Sequence, residues 1–131
     1  MYEMKDEYKT GIDFIDEQHK MLFDIADRGY NLLQNDFTLD KYDKVVALIH
    51  ELQDYTAFHF KAEEAYMEKI HYKRMFTQKT EHAAFIKKLN SFDLSKIDED
   101  QDAYIVSILQ LLNDWLIEHI FENDKLIAEQ N

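Results

Sequence analysis

The sequence predicts an all-α fold, an antiparallel up-down four-helix bundle with an N-terminal arm, on two observations. Gly occurs only twice in 131 residues and Pro not at all, which deprives an all-β fold of the turn residues it needs every few positions. Four segments then repeat apolar residues at i, i+3, i+4 and i+7. Four such helices joined by short polar links pack most simply as an up-down bundle.

The first helix is expected over about residues 16–34, with Ile15, Leu22, Phe23, Ala26, Tyr30 and Leu33 on one face. The second, over about residues 39–69, takes Thr38 as its N-cap and aligns Val45, Leu48, Leu52, Tyr55, Tyr66 and Met67. The third, about 73–91, aligns Met75, Phe85, Ile86 and Leu89, and the fourth, about 98–119, aligns Ile105, Ile108, Leu112, Trp115 and Leu116. The acidic run Asp98, Glu99, Asp100 suits the positive N-terminal end of that last helix. A short helical segment is expected to follow at about residues 121–128. Residues 1–14 read as an arm packed across the bundle, because Tyr2, Tyr8, Ile12 and Phe14 are too apolar for a free tail. No repeat, linker or composition shift divides the chain, so residues 1–131 read as a single domain.

Composition narrows the chemistry. Asp and Glu total 27 against 15 Lys and Arg, a formal charge of −12, which repels phosphate backbones and anionic membrane surfaces and argues against a nucleic-acid partner. The acidic N-terminus lacks the apolar core of a signal peptide, and the most apolar stretch, residues 104–112, is about half a bilayer span. A cytoplasmic protein is the expectation. With no Cys, disulfides, thiolate sites and Cys nucleophiles are all excluded, and a metal must be held by His, Asp or Glu.

Histidines fall on the apolar faces. His19 lies four residues after Ile15 and four before Phe23, and His59 four after Tyr55. His82 lies four before Ile86, His119 four after Trp115, and Glu63 four after His59. Every helix therefore aims an imidazole at the interior, and one adds a carboxylate. One such His is ordinarily a hydrogen-bonded core residue. Four with a carboxylate in one apolar core need a common partner, since burying an unpaired carboxylate costs several kcal/mol; a cation supplies it. Asp124 follows His119 by five residues, about 140° away on an unbroken helix. It reads either as a solvated acid or as a further ligand reached where the helix loosens after Ile120. His50, about 180° round from His59, and His71, in the link between the second and third helices, read as surface residues. Glu68-x-x-His71 has the spacing of a di-iron half-motif but lacks the second such pair.

The strings Ile15-Asp16-Glu17-Gln18-His19 and His59-Phe60-Lys61-Ala62-Glu63-Glu64, the pair Glu81-His82, and the run from Asp114 through His119 to Asp124-Lys125 together resemble a bacterial hemerythrin over nearly the whole chain. The resemblance implies two non-haem irons joined by an oxo or hydroxo bridge. His19 and His59 would hold one iron, His82 and His119 the other, and Glu63 and Asp124 would bridge them. It further implies reversible O₂ binding at the iron held by His19 and His59, in a pocket shaped by Leu22, Phe23, Trp115 and Leu116, with peroxide or nitric oxide as other ligands. Such a protein serves as a carrier, a store or a sensor. One position departs from the family pattern: Gln78 stands where the third helix carries the first His of a His-x-x-x-His pair. Gln78 shares a face with His82, so its amide is expected at the site as a weak ligand or beside an open position. Open positions favour turnover, which makes a di-iron peroxidase or oxidase the rival reading. A metal-free helical module working through a protein partner is the third.

Overall fold

The computed structural model describes residues 4–35, 39–119 and 124–130, the last three by backbone alone. In chain order it contains a 3-10 turn at Asp6–Tyr8, helices α1 (Asp13–Gln34), α2 (Tyr42–Lys69) and α3 (Met75–Leu89), a 3-10 helix at Leu94–Glu99, and helices α4 (Gln101–His119) and α5 (Lys125–Gln130). The described residues include no strand, and the fold is all-α. Among them, no helix is long and apolar enough to cross a membrane.

Several helix ends differ from the sequence expectation for local reasons. α1 starts at Asp13, so Asp13 and Phe14 belong to the helix and not to the arm. The cause is Asp16, whose carboxylate accepts from the Thr10 amide and hydroxyl (2.8 Å each) and the Gly11 amide (3.1 Å). The chain reverses at Gly11, φ 88°, a conformation suited to Gly. α2 begins at Tyr42 rather than near residue 39, because Leu39 is 93% exposed and gains nothing by joining the helix. The buried Lys41 precedes it, its ammonium donating to Asp102 (3.0 Å) and to the Leu33 carbonyl (3.3 Å). α3 is shorter than expected, since Lys73, Arg74, Asn90 and Ser91 at its flanks are exposed. α4 begins at Gln101, and Asp98 and Glu99 fall in the separate 3-10 helix anchored by the buried Ile97. α5 ends at Gln130 rather than near residue 128, and residues 121–123 of the expected segment lie outside the described residues. The Thr38 cap, the Tyr2 arm residue and the loosening after Ile120 lie outside the described residues.

Ion pairs and site contacts fix the helix directions. Lys41, at the start of α2, joins Asp102, at the start of α4, and Leu33, at the end of α1. At the opposite end, early α1 (His19) meets late α2 (Glu63), the middle of α3 (His82) and the end of α4 (His119) around one point, and Met75, at the start of α3, packs with Met67 and Tyr72 from the end of α2. The four helices therefore alternate up and down. Their core is a continuous set of buried apolar residues including Leu22, Ile49, Leu52, Ile105 and Leu112, each worth about 1.5–3 kcal/mol when fully buried. The arm seals one side by stacking Tyr8 on Phe23, ring centroids 5.4 Å apart. At Gly29 the bundle narrows: a Cβ there would stand 3.1 Å from Leu48 and 3.2 Å from Leu109.

A second, smaller apolar cluster lies beyond the converging histidines, where Met67 and Tyr72 pack against Ile127 of α5. The end of α2 that builds it closes with a six-to-one bond from the Tyr72 amide to the Met67 carbonyl (2.9 Å) and a five-to-two bond from the His71 amide to Glu68 (3.2 Å). This Schellman cap puts His71 at φ 54°, where Gly is usual. His71→Gly is expected to stabilise the protein by about 1 kcal/mol in denaturant unfolding, because it relieves the left-handed strain. A loss of stability would show that the exposed His71 side chain makes an offsetting contact.

Candidate metal centre

Five of the six converging groups come from the helix faces the apolar pattern marks as inward. The sixth, Asp124, stands immediately before α5. His19, His59, Glu63, His82, His119 and Asp124 are all 3% exposed or less. Their donor atoms fall into two sets, His19, His59, Glu63 and Asp124, and Glu63, His82, His119 and Asp124, each within 4.8 Å of mutual reach.

The carboxylates divide their oxygens between the sets. Glu63 Oε2 lies 3.4 Å from His59 Nε2 and 4.0 Å from His19 Nε2, while Oε1 lies 3.2 Å from His82 Nε2 and 3.9 Å from His119 Nε2. Asp124 Oδ2 is 2.9 Å from His19 Nε2 and Oδ1 is 2.9 Å from His119 Nε2. Each acid thus presents one oxygen to each set. Gln78 is buried on α3 with its amide nitrogen 3.4 Å from Asp124 Oδ1, on the His82 and His119 side.

A second ring of residues orients three of the four imidazoles. His59 Nδ1 pairs with the Gln18 amide oxygen at 2.7 Å and His82 Nδ1 with Glu64 at 2.9 Å, while Glu81 stands 3.2 Å from His119 Nδ1. Holding Nδ1 from outside turns Nε2 inward and sets the tautomer. Gln18, Glu64 and Glu81 appear in the motif strings, but sequence reasoning gave them no role. Each sits next to one inward residue in the chain, about 100° round the helix, and reaches a histidine on a neighbouring helix. Aromatic rings lock the other faces: Phe60 stacks on His82 with centroids 3.9 Å apart, and Trp115 stacks on His119 at 4.0 Å.

Electrostatics differ between the two sets. Burial is the largest influence on His59 and lowers its pKa to about 4, despite the attraction of Glu63. At His119 burial also acts downward, but Asp124 and Glu63 outweigh it and raise the pKa to about 10. Contact distance decides this, since the nearest carboxylate oxygen is 2.9 Å from His119 and 3.4 Å from His59. Burial pushes the Asp124 pKa up, yet His119 and His19 hold it well below the usual carboxylate range. A cation entering between Asp124 and His119 must displace the imidazole proton.

The decisive fit is at Glu63. Its carboxylate is fully buried, and neither oxygen receives a hydrogen bond. With Nδ1 of His59 donating outward to Gln18, the lone pair on Nε2 faces the lone pairs of Glu63 Oε2. Such an arrangement is repulsive until a cation stands between them. Imidazole and carboxylate donors without thiolate suit iron and its borderline neighbours.

Residues 10–130 match the family model described as the hemerythrin HHE cation binding domain. The chain belongs to the hemerythrin family. It is 50% identical over 125 residues to a bacteriohemerythrin of Clostridium acetobutylicum, covering 95% of this chain and 97% of that one. A bacteriohemerythrin of Pseudomonas paraeruginosa is 31% identical over 121 residues, 92% of this chain and 74% of the relative. A hemerythrin-like protein of Naegleria gruberi is 25% identical over 115 residues, 88% and 81% of the two chains. The buried cluster of His, Glu and Asp is fit for metal binding, as the family's cation binding domain requires.

Of the residues expected to wall a ligand pocket, Leu22, Phe23 and Leu116 are buried in the core. Trp115 is half-buried and lines an outward groove of about 320 Å³ between α3 and α4, with Glu81, Lys88 and Asp114. It therefore stands between His119 and the solvent. His50 and His71 are exposed.

His59→Ala and Glu63→Ala are each expected to abolish metal binding. Each variant should also lose the stabilisation that metal gives the parent protein, about 4 kcal/mol at a free metal concentration a thousand times Kd. Metal content by elemental analysis, with Tm before and after chelation, checks both. Unchanged content and Tm in either variant would break the assignment.

Proposed function

We propose that this chain is a non-haem di-iron protein that binds O₂ reversibly, one hemerythrin-like domain working in the cytoplasm as a carrier, store or sensor. The observation that carries the reading is the division of the Glu63 and Asp124 oxygens, one from each acid toward His19 and His59 and the other toward His82 and His119. That arrangement suits two cations bridged by both acids, with His19 and His59 holding one and His82 and His119 the other, and an oxo or hydroxo group completing the bridge. Two ferrous ions held there supply two electrons and a vacant position at which O₂ can be taken up.

The chain's own residues would then do three things. Gln18, Glu64 and Glu81, from behind, orient the imidazoles of His59, His82 and His119 inward. Leu22, Phe23 and Leu116, each 3% exposed or less, keep water and external acids from the site, so that O₂ can leave as O₂. Phe60 and Trp115 fix the ring planes of His82 and His119. A metal-free module is disfavoured, because burying Glu63 with neither oxygen hydrogen-bonded is a standing cost that the His119 imidazolium, 3.9 Å away, offsets only in part.

One observation favours peroxidase or oxidase chemistry as a second reading. Gln78 places an amide beside Asp124 where an imidazole would otherwise complete the second site. The site could thereby accept peroxide or nitric oxide at that position. Steady consumption of peroxide with a reducing dye would support this reading over carriage.

The test of the main reading is iron stoichiometry together with the visible spectrum of the reduced protein before O₂, after O₂ and after evacuation. Two irons and a band that appears with O₂ and disappears under vacuum are expected; no metal-dependent absorption, or a band that never reverses, would overturn it. Gln78→His adds a nitrogen four residues before His82, on the same helix face, and an imidazole is a better donor than an amide to ferrous iron. The variant should retain its second iron longer against a chelator and lose any peroxide turnover. Identical chelation kinetics and turnover would show that Gln78 has no bearing on the second site.

A further inference from the structure

One turn deeper into the bundle than the converging histidines lies a layer of buried side chains. From α1 come Leu22 and Phe23, three and four residues after His19. From α3 comes Phe85, three after His82, and from α4 comes Leu116, three before His119. Because α1 and α3 run opposite to α2 and α4, these spacings bring all four residues to the same depth. The α2 member is Thr56, three residues before His59 and seven before Glu63, so it shares their inward face.

Thr56 is 1% exposed, and its hydroxyl makes no hydrogen bond among the described residues. A helical Thr ordinarily satisfies its hydroxyl on the carbonyl four residues back, here that of Leu52, and this one does not. Val in its place would fill the same volume without leaving a polar atom unmet. The hydroxyl is thus a donor held in an apolar layer, one turn from His59 and in the direction that Glu63 takes from the same helix.

We infer that the Thr56 hydroxyl is the hydrogen-bonding contact for the small exogenous ligand bound beside His19 and His59, a diatomic or triatomic molecule with an exposed oxygen or nitrogen lone pair. This rests on the di-iron reading and makes the pocket selective: apolar walls admit any small molecule, and one donor favours those that gain negative charge on binding. Thr56 acts as a positioning residue, donating to the end of the ligand that points away from the metals.

The probe is azide, titrated into iron-loaded oxidised protein and followed by visible absorption. Thr56→Val is expected to keep its iron and to bind azide about threefold to tenfold more weakly, the range for loss of one hydrogen bond. Thr56→Ser should retain the parent affinity. Metal-free Thr56→Val should melt at or above the parent temperature, because it removes an unmet polar group. Azide affinity unchanged in Thr56→Val, affinity lost equally in Thr56→Ser, or a lower Tm of metal-free Thr56→Val would each overturn the inference, the last by revealing a structural partner for the hydroxyl. If the parent protein loads no iron or shows no azide-dependent band, the di-iron reading fails and the role of Thr56 falls with it. If the parent shows the band and Thr56→Val matches it, only the role of Thr56 fails.

Discussion

A carboxylate with no donor, Glu63, sits at the centre of the bundle, and most of the surrounding structure is arranged about that charge. Four imidazole nitrogens face its two oxygens at 3.2 to 4.0 Å, and a buried anion of this kind is costly unless positive charge is brought to it. The protein supplies part of that charge itself, as the imidazolium favoured at His119 beside Asp124. At His59 burial wins, and the ring stays neutral near pH 7. The two sides of the centre are therefore electrically unequal even though the carboxylates divide evenly between them. Gln78 enlarges the inequality by bringing a neutral amide to the side that already carries the proton.

The bundle answers this electrostatic demand with packing. Stacked rings fix the imidazoles of His82 and His119 in plane, and the Gln18 amide and the Glu64 carboxylate fix His59 and His82 in tautomer. Rigid walls matter here because a site made of six side chains tolerates little error in any one. The close approach at Gly29 and the ion pair between Lys41 and Asp102 hold the far end of the bundle. The near end is closed by the small cluster around Met67, Tyr72 and Ile127, which leaves the centre between two apolar plugs.

Much of this was legible in the sequence, and the failures share a cause. The all-α class followed from the helical period, and the inward placement of His19, His59, Glu63, His82 and His119 from i, i+4 relations alone. Those relations hold within one helix, so they marked inward faces without stating distances. Gln18, Glu64 and Glu81 escaped notice because their partners lie on other helices, a relation that no single-helix pattern encodes. Asp124 stayed ambiguous because the periodic argument stops where α4 stops. Helix ends shifted by two or three residues wherever a tertiary contact, such as Asp16 with the Thr10 and Gly11 amides, or a lack of burial, as at Leu39, overrode the pattern. Thr56 was invisible for a simpler reason: a Thr inside an amphipathic helix is unremarkable until its hydroxyl is seen to lack a partner.

Asp124 differs from its five companions in what carries it. It precedes α5, a six-residue helix too short to persist in water on its own, held by the packing of Ile127 on Met67 and Tyr72. Losing Asp124 therefore needs no unfolding of the bundle: opening of α5 alone withdraws one of the two acids and leaves the four histidines and Glu63 in place. The two carboxylates, alike in what they face, differ in how firmly they are held, Glu63 by a 28-residue helix and Asp124 by its attachment to a six-residue one.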